Sequence, residues 1–368
     1  MLFYVRIADN LKKQADELIA RGLYPDFNTL VGVAVQNLLI AEQEVAGEEK
    51  PDNESPAKAS VAPASHKIGV ASSPTTPPKI ELPAAVHWKQ AVPVSPKLIV
   101  PFPADFFAPE QTVPVERWIF GQQNRVLPAK VNARLFLALV SERGSEVELF
   151  EAATQISTKA IDVYEFLGGL DKRFGHGKDD LLSTGFPEPD SEKSISRYAN
   201  HFAAYESTQG NLTGMLIQWK LAGIKRSKNK TYLLPTAACL DFAKLKNPLL
   251  DQPVTSKPEE KFSSQEIAWA VEHLRKHVPV EASAFMTILK GLSAGFTTPD
   301  AIDGFVRENA REKSEVSPAF ISTQRSGAVS RMADLGLVKR QREGTKVAYE
   351  VTELGSGWLK KQGEAKTK

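Results

Sequence analysis

Gly327-Ala-Val-Ser-Arg-Met-Ala-Asp-Leu-Gly336-Leu-Val-Lys-Arg-Gln-Arg342, followed by Thr345-Lys-Val-Ala-Tyr-Glu-Val-Thr352-Glu-Leu-Gly355, is the stretch from which the fold reads most directly. Val329, Met332 and Ala333 form a helical apolar stripe that stops at Gly336, a residue suited to the left-handed turn closing a helix. Leu337 and Val338 open a strand, Lys339 to Lys346 makes a basic turn around Gly344, and Val347, Tyr349 and Val351 alternate as a second strand. The order is helix, strand, basic hairpin, strand.

A fainter copy stands about a hundred residues upstream: Gly214-Met-Leu-Ile-Gln-Trp-Lys-Leu-Ala-Gly223-Ile-Lys-Arg-Ser-Lys-Asn-Lys230, then Tyr232-Leu-Leu-Pro-Thr-Ala. Gly214 and Gly223 are spaced like Gly327 and Gly336, and each second glycine precedes apolar residues and a Lys/Arg cluster. A repeat of this kind predicts two related modules. The run Leu-Gly-Leu-Val-Lys-Arg with Val-Thr-Glu-Leu-Gly resembles the recognition helix and wing of MarR- and PadR-like winged helix-turn-helix regulators, over about forty residues. That resemblance implies base contacts from Thr323, Gln324, Arg325, Ser326, Ser330 and Arg331, and from Asn211, Thr213, Gln218 and Lys220 in the upstream copy. Lys339, Arg340, Arg342 and Lys346, with Lys225, Arg226, Lys228 and Lys230, would neutralise phosphates.

Residues 1–43 form a separate unit. Phe3, Val5 and Ile7 alternate with Leu2, Tyr4 and Arg6 as a short strand. Asp9 caps a first helix ending at Gly22, and Asn28 caps a second that is apolar almost all round. A helix so apolar needs burial on several sides, which predicts a partner. Strand–helix–helix resembles the ribbon-helix-helix family of Arc-, MetJ- and CopG-like proteins. It implies a homodimer through residues 1–43 with Tyr4 and Arg6 towards the DNA major groove and the amides near Asn28 and Thr29 on a phosphate. Four basic against five acidic residues here make the ribbon electrostatically unimpressive, so dimerisation alone is the competing reading.

Residues 44–110 hold half of the chain's 24 prolines and no arginine, the composition of an extended linker. Val86 to Trp88 and Leu98 to Phe107 are too apolar for a spacer. Residues 98–110 are expected to dock on the next domain, with a protein-binding motif in 86–107 as the alternative. Residues 111–250 are expected to be the first winged-helix domain, 251–262 a hinge, and 263–368 the second. Ala160-Ile-Asp162 echoes Ala301-Ile-Asp303, with an insertion of about thirty residues in the first module, assigned to residues 179–194. The expected fold class is mainly α with small β elements.

No catalytic set, metal site or cofactor motif emerges. His273 and His277 have helical i, i+4 spacing but no third ligand, and read as a solvated helix face. Gly175-His-Gly177 lacks the spacing of a phosphate loop and reads as a loop, and Cys239 reads as core. Net charge is +2, so any nucleic-acid footprint is local. A single cysteine fits a reducing compartment, and no apolar run approaches the roughly 20 residues that span a bilayer. The sequence therefore suggests a cytoplasmic protein, nucleoid-associated if prokaryotic, with double-stranded DNA as partner and no membrane. Its expected work is transcriptional regulation at extended or repeated sites. Plasmid replication initiation or partition is the nearest alternative, and a winged-helix adaptor for protein complexes the alternative from another class.

Overall fold

The computed structural model describes residues 88–365, except residues 106, 109–110, 178–179 and 311–315, and Asp16 alone before them. The expectations for residues 1–43, including the strand pairing, the dimer and the roles of Tyr4, Arg6, Asn28 and Thr29, lie outside the described residues, as does most of the linker. The chain divides into two compact units, Met1–Glu81 with Ser207–Gly210, and Leu82–Glu206 with Asn211–Lys368. The second unit is mainly helical with small antiparallel sheets, and it comprises two modules.

The first module runs α1 (Leu127–Arg143), β1 (Val147–Glu148), α2 (Leu149–Phe174), α3 (Glu192–Tyr198) and a π-helical turn (Ala199–Ala203). A short hairpin, β2 (Tyr205–Glu206) and β3 (Leu212–Thr213), precedes the single turn α4 (Met215–Gln218). The module ends with β4 (Ala222–Ser227), β5 (Lys230–Pro235) and α5 (Ala237–Lys244). The second module is α6 (Ser264–His277), α7 (Pro279–Ser293), α8 (Pro299–Asn309), α9 (Pro318–Asp334), β6 (Val338–Glu343), β7 (Lys346–Val351) and α10 (Glu353–Ala365).

The modules repeat each other closely. Thr236 and Thr352, 116 residues apart, make the same latch after their hairpins. The Thr236 hydroxyl donates to the carbonyls of Lys220 and Leu221 at 2.7 and 3.2 Å, and that of Thr352 to Gly336 and Leu337 at 2.6 and 3.0 Å. Lys220 and Gly336 are both left-handed, at φ 57° and 69°. In the first module β1 pairs with β5, placing Val147 opposite Leu233. In the second, the Tyr349 amide donates to Thr297 at 2.9 Å, at the equivalent place.

This register corrects the one inferred from the glycines by three residues. Lys220, not Gly223, occupies the place of Gly336. Gly223 lies within β4, where a Cβ would stand 2.3 Å from Cγ2 of Val100. The Ala-Ile-Asp echo also falls at unlike positions, early in α8 but midway along α2. The extra residues of the first module are spread out: α2 has 26 residues where α8 has 11, and the β2–β3 hairpin is a further addition.

A packed seam joins the modules where a hinge was expected. Lys130 meets Glu266 at 3.1 Å with both side chains wholly buried, and Asn247 donates to Glu266 and to the Lys261 carbonyl. Burial lowers the Lys130 ammonium to about 8 against the opposing pull of Glu266. Phe262, in the expected hinge, is 2% exposed. The imidazole of His273 meets the Trp219 carbonyl at 2.7 Å across the seam.

Residues 118–126 form the tightest part of the seam. Gly121 lies so close to α9 that a Cβ would be 2.0 Å from the Thr323 carbonyl oxygen, and one on Gly327 would be 2.1 Å from that of Gly121. On the other side, Phe120 packs against His201 of the first module at 4.9 Å between ring centroids.

The apolar end of the linker lies on the first module. Trp88 is buried against Phe166, and the Arg134 guanidinium donates to the carbonyls of Trp88 and Lys89 while forking onto Asp251. Val100 bridges to Thr236, and Lys220 ties down Asp105 at 2.8 Å.

Candidate functional site

Two antiparallel hairpins project their basic residues into solvent. The first turns at Lys228 and Asn229, both at positive φ (50° and 61°), the conformation a tight two-residue hairpin demands. The second turns at Gly344, φ 60°. Lys225, Arg226, Lys228, Lys230, Lys339, Arg340, Arg342 and Lys346 are all exposed.

Their electrostatics differ. In the first hairpin Lys225 meets Glu146 at 2.6 Å and Arg226 meets Glu206 at 3.1 Å, so two of its four cations are partly neutralised. The Lys225 ammonium, through its hydrogen bond, draws the Glu146 carboxyl below the usual range. The second hairpin has two unlike faces. Lys339 stands opposite Glu350 and Glu343 opposite Lys346, whereas Arg340 and Arg342 share the other face with Tyr349 and Val347.

The helix before the second hairpin, α9, divides its expected contact residues. Thr323 and Ser326 are exposed and Ser330 is half-buried. Gln324, Arg325 and Arg331 are buried, which removes them from the outward set. The Gln324 side chain accepts from the Gly121 amide at 2.6 Å and donates to the Trp118 carbonyl at 3.2 Å. Arg325 forks onto Asp303. Arg331, wholly buried, forks onto Glu281 at 2.5 and 3.0 Å and donates to the Gln123 carbonyl. Each polar head is satisfied inside the chain, as burial requires.

In the first module, Asn211 is exposed and Thr213 half-buried in β3. The half-buried Gln218 accepts from Gln123 at 2.7 Å and from the Gly214 amide. Lys220 is buried and spent on residues 103–105, so it too leaves the outward set.

The equivalence of the third helices is absent from the sequence reading. Ser191 caps α3 by accepting from the Ser194 amide, as Ser317 caps α9 by accepting from Phe320. The available signal is short: Ser191-x-x-x-Ile195-Ser196 matches Ser317-x-x-x-Ile321-Ser322. The α3 surface exposes Lys193, Ser196 and Arg197, with Asn200 half-buried one turn on.

The two histidines are not the solvated face the sequence suggested. His273 is 6% exposed and stacks on Trp269 at 4.6 Å and 10°, and burial lowers it to about 4. His277 packs on Phe102. His176, in the glycine-flanked loop, meets Asp171 at 2.8 Å. Cys239 is buried, which raises its thiol well above the ordinary range. Among the described residues no cluster of His, Cys, Asp and Glu could hold a metal ion, and no helix is long and apolar enough to cross a membrane. No protein-family model, curated protein or solved structure matches this chain.

Proposed function

We propose that this chain is a non-enzymatic DNA-binding protein, dimeric through its amino terminus, whose second unit consists of two winged-helix modules that grip duplex DNA with their basic hairpins. One observation carries the reading: a succession of three helices and a hairpin occurs twice, latched by Thr236 and Thr352, and each hairpin carries four Lys or Arg residues. Cations on a projecting hairpin suit the phosphate backbone, where each contact releases a counterion. Regulation of transcription at extended or repeated sites is the use that best fits two surfaces held rigidly together and doubled by a dimer.

A specific observation favours a second reading, a protein-docking adaptor: residues 118–126 cover the side of α9 that carries Gln324 and Arg331. Binding of the full-length protein to a fragment library of its native genome separates the two. Under the DNA reading, replacing Lys225, Arg226, Lys228 and Lys230 with Ala, or Lys339, Arg340, Arg342 and Lys346, weakens retention of fragments. Unchanged retention in both variants overturns it.

A further inference from the structure

We infer that the first module has its own base-reading helix, made of α3, the π-helical turn and α4, and that Lys193, Arg197 and Asn200 are its groove-facing side chains. The inference rests on the DNA reading above and assigns residues to it.

The helix is hidden because a hairpin interrupts it. The chain leaves after Ala203 and returns at Gly214, where a Cβ would stand 2.5 Å from the Ala203 carbonyl oxygen and 2.7 Å from Cα of Ala204. Gly214 takes φ 101°, open to glycine and strained for other residues. The two ends therefore abut, and β2–β3 is an excursion from one helical run. A π-helical turn marks the interruption, as expected where residues have been added within a helix.

With residues 204–213 set aside, the run aligns with α9 without a gap. Ser191 falls on Ser317, Ile195 on Ile321, and Gln218 on Asp334. Burial follows the alignment. Tyr198, Phe202, Ala203 and Leu216 match Gln324, Ala328, Val329 and Met332, and all eight are buried. Tyr198 donates to Asn132 at 2.7 Å and Asn132 donates to the Phe202 carbonyl at 2.7 Å, fixing the helix to α1.

The outward ridge is then Lys193, Arg197 and Asn200, where α9 presents Ala319, Thr323 and Ser326. Spacing of i, i+4 and i+7 puts the three on one face. Arginine and asparagine are the side chains whose paired polar atoms match guanine and adenine edges in the major groove, whereas Ala319, Thr323 and Ser326 offer less. The first module would thus carry more of the sequence discrimination and the second more of the phosphate grip.

The test uses full-length protein and a site selected from random duplexes. Arg197→Ala and Asn200→Ala should each lower affinity for the selected site about tenfold and relax base preference at one or two positions, leaving non-specific binding intact. As a second readout, Arg197→Cys carrying a photoreactive group should cross-link to the selected duplex, the native Cys239 being buried against labelling. If the hairpin variants lose DNA but Arg197→Ala and Asn200→Ala keep full affinity and unaltered preference, and the probe at 197 forms no cross-link, this inference fails while the DNA reading stands. If the hairpin variants also keep DNA, the DNA reading itself has failed.

Discussion

Gly121→Ala tests the seam that makes the two modules one body. The new Cβ would sit 2.0 Å from the Thr323 carbonyl oxygen and 2.5 Å from its carbon, both backbone atoms of a seventeen-residue helix that cannot swing aside. Restoring ordinary contact requires residues 118–126 and α9 to part by more than about 1 Å, since carbon atoms rest at roughly 3.4 Å or more. Forced overpacking of this kind costs about 1–3 kcal/mol. The same movement stretches the 2.6 Å bond from the Gly121 amide to buried Gln324, and stranding those groups adds about 1–3 kcal/mol. A total near 4 kcal/mol lowers Tm by roughly 8–16 °C in a body of this size. Thermal unfolding of the full chain, followed by circular dichroism, reads the change. Gly327→Ala strikes the same contact from the other side, so the double variant should cost markedly less than the sum of the singles. A Tm for Gly121→Ala within about 1 °C of the parent would refute the packing.

Individual side chains carry three further expected outcomes. Glu281→Gln leaves Arg331 buried without its counter-charge and should destabilise the chain by about 3–5 kcal/mol, measured as a shift in urea midpoint; an unchanged midpoint counts against the wholly buried pair. His273, held near 4 by burial and ordinarily near 6.5, is neutral in the folded chain, so the unfolded chain binds the extra proton between those values. Its contribution, on the order of 3 kcal/mol, is complete above about pH 6.5 and is lost as pH falls towards 4. His273→Gln should make the pH dependence of stability shallower over that window, leaving the share of His201, which burial likewise lowers to about 4, and an equally steep profile in the variant contradicts the assignment. Arg340→Ala with Arg342→Ala, and Lys339→Ala with Lys346→Ala, should each weaken DNA binding, since all four side chains are exposed; an anisotropy titration in which neither pair loses affinity would remove the second hairpin from the interface.

The second hairpin was legible because its strands alternate and Gly344 marks its turn. The upstream copy was legible as a copy but misaligned, since Lys220 holds the left-handed position that Gly336 holds downstream, and composition gives no warning of a lysine there. The interrupted third helix was missed for a related reason. The residues that abut, Ala203 and Gly214, are separated by a hairpin, so no periodic pattern runs through them. Gln324 and Arg331 read as outward because polar residues on a helix usually are. Their partners, Gly121, Gln123 and Glu281, lie far away along the chain, and only the tertiary fold brings them together. The expected hinge failed likewise: its prolines and charges look like a linker, while buried Phe262 and the Lys130–Glu266 pair close the gap.

The central claim is that the basic hairpins hold duplex DNA, and the salt dependence of binding tests it most directly. Affinity of the full-length protein for its selected duplex should fall steeply between about 50 and 200 mM salt, the logarithmic slope changing by about 0.9 for each phosphate contact. Arg340→Ala with Arg342→Ala should make that slope shallower by about 2, and removal of all eight hairpin cations should abolish most of it. A slope that is flat in the parent protein, or the same in the parent and the eight-fold variant, would contradict the account.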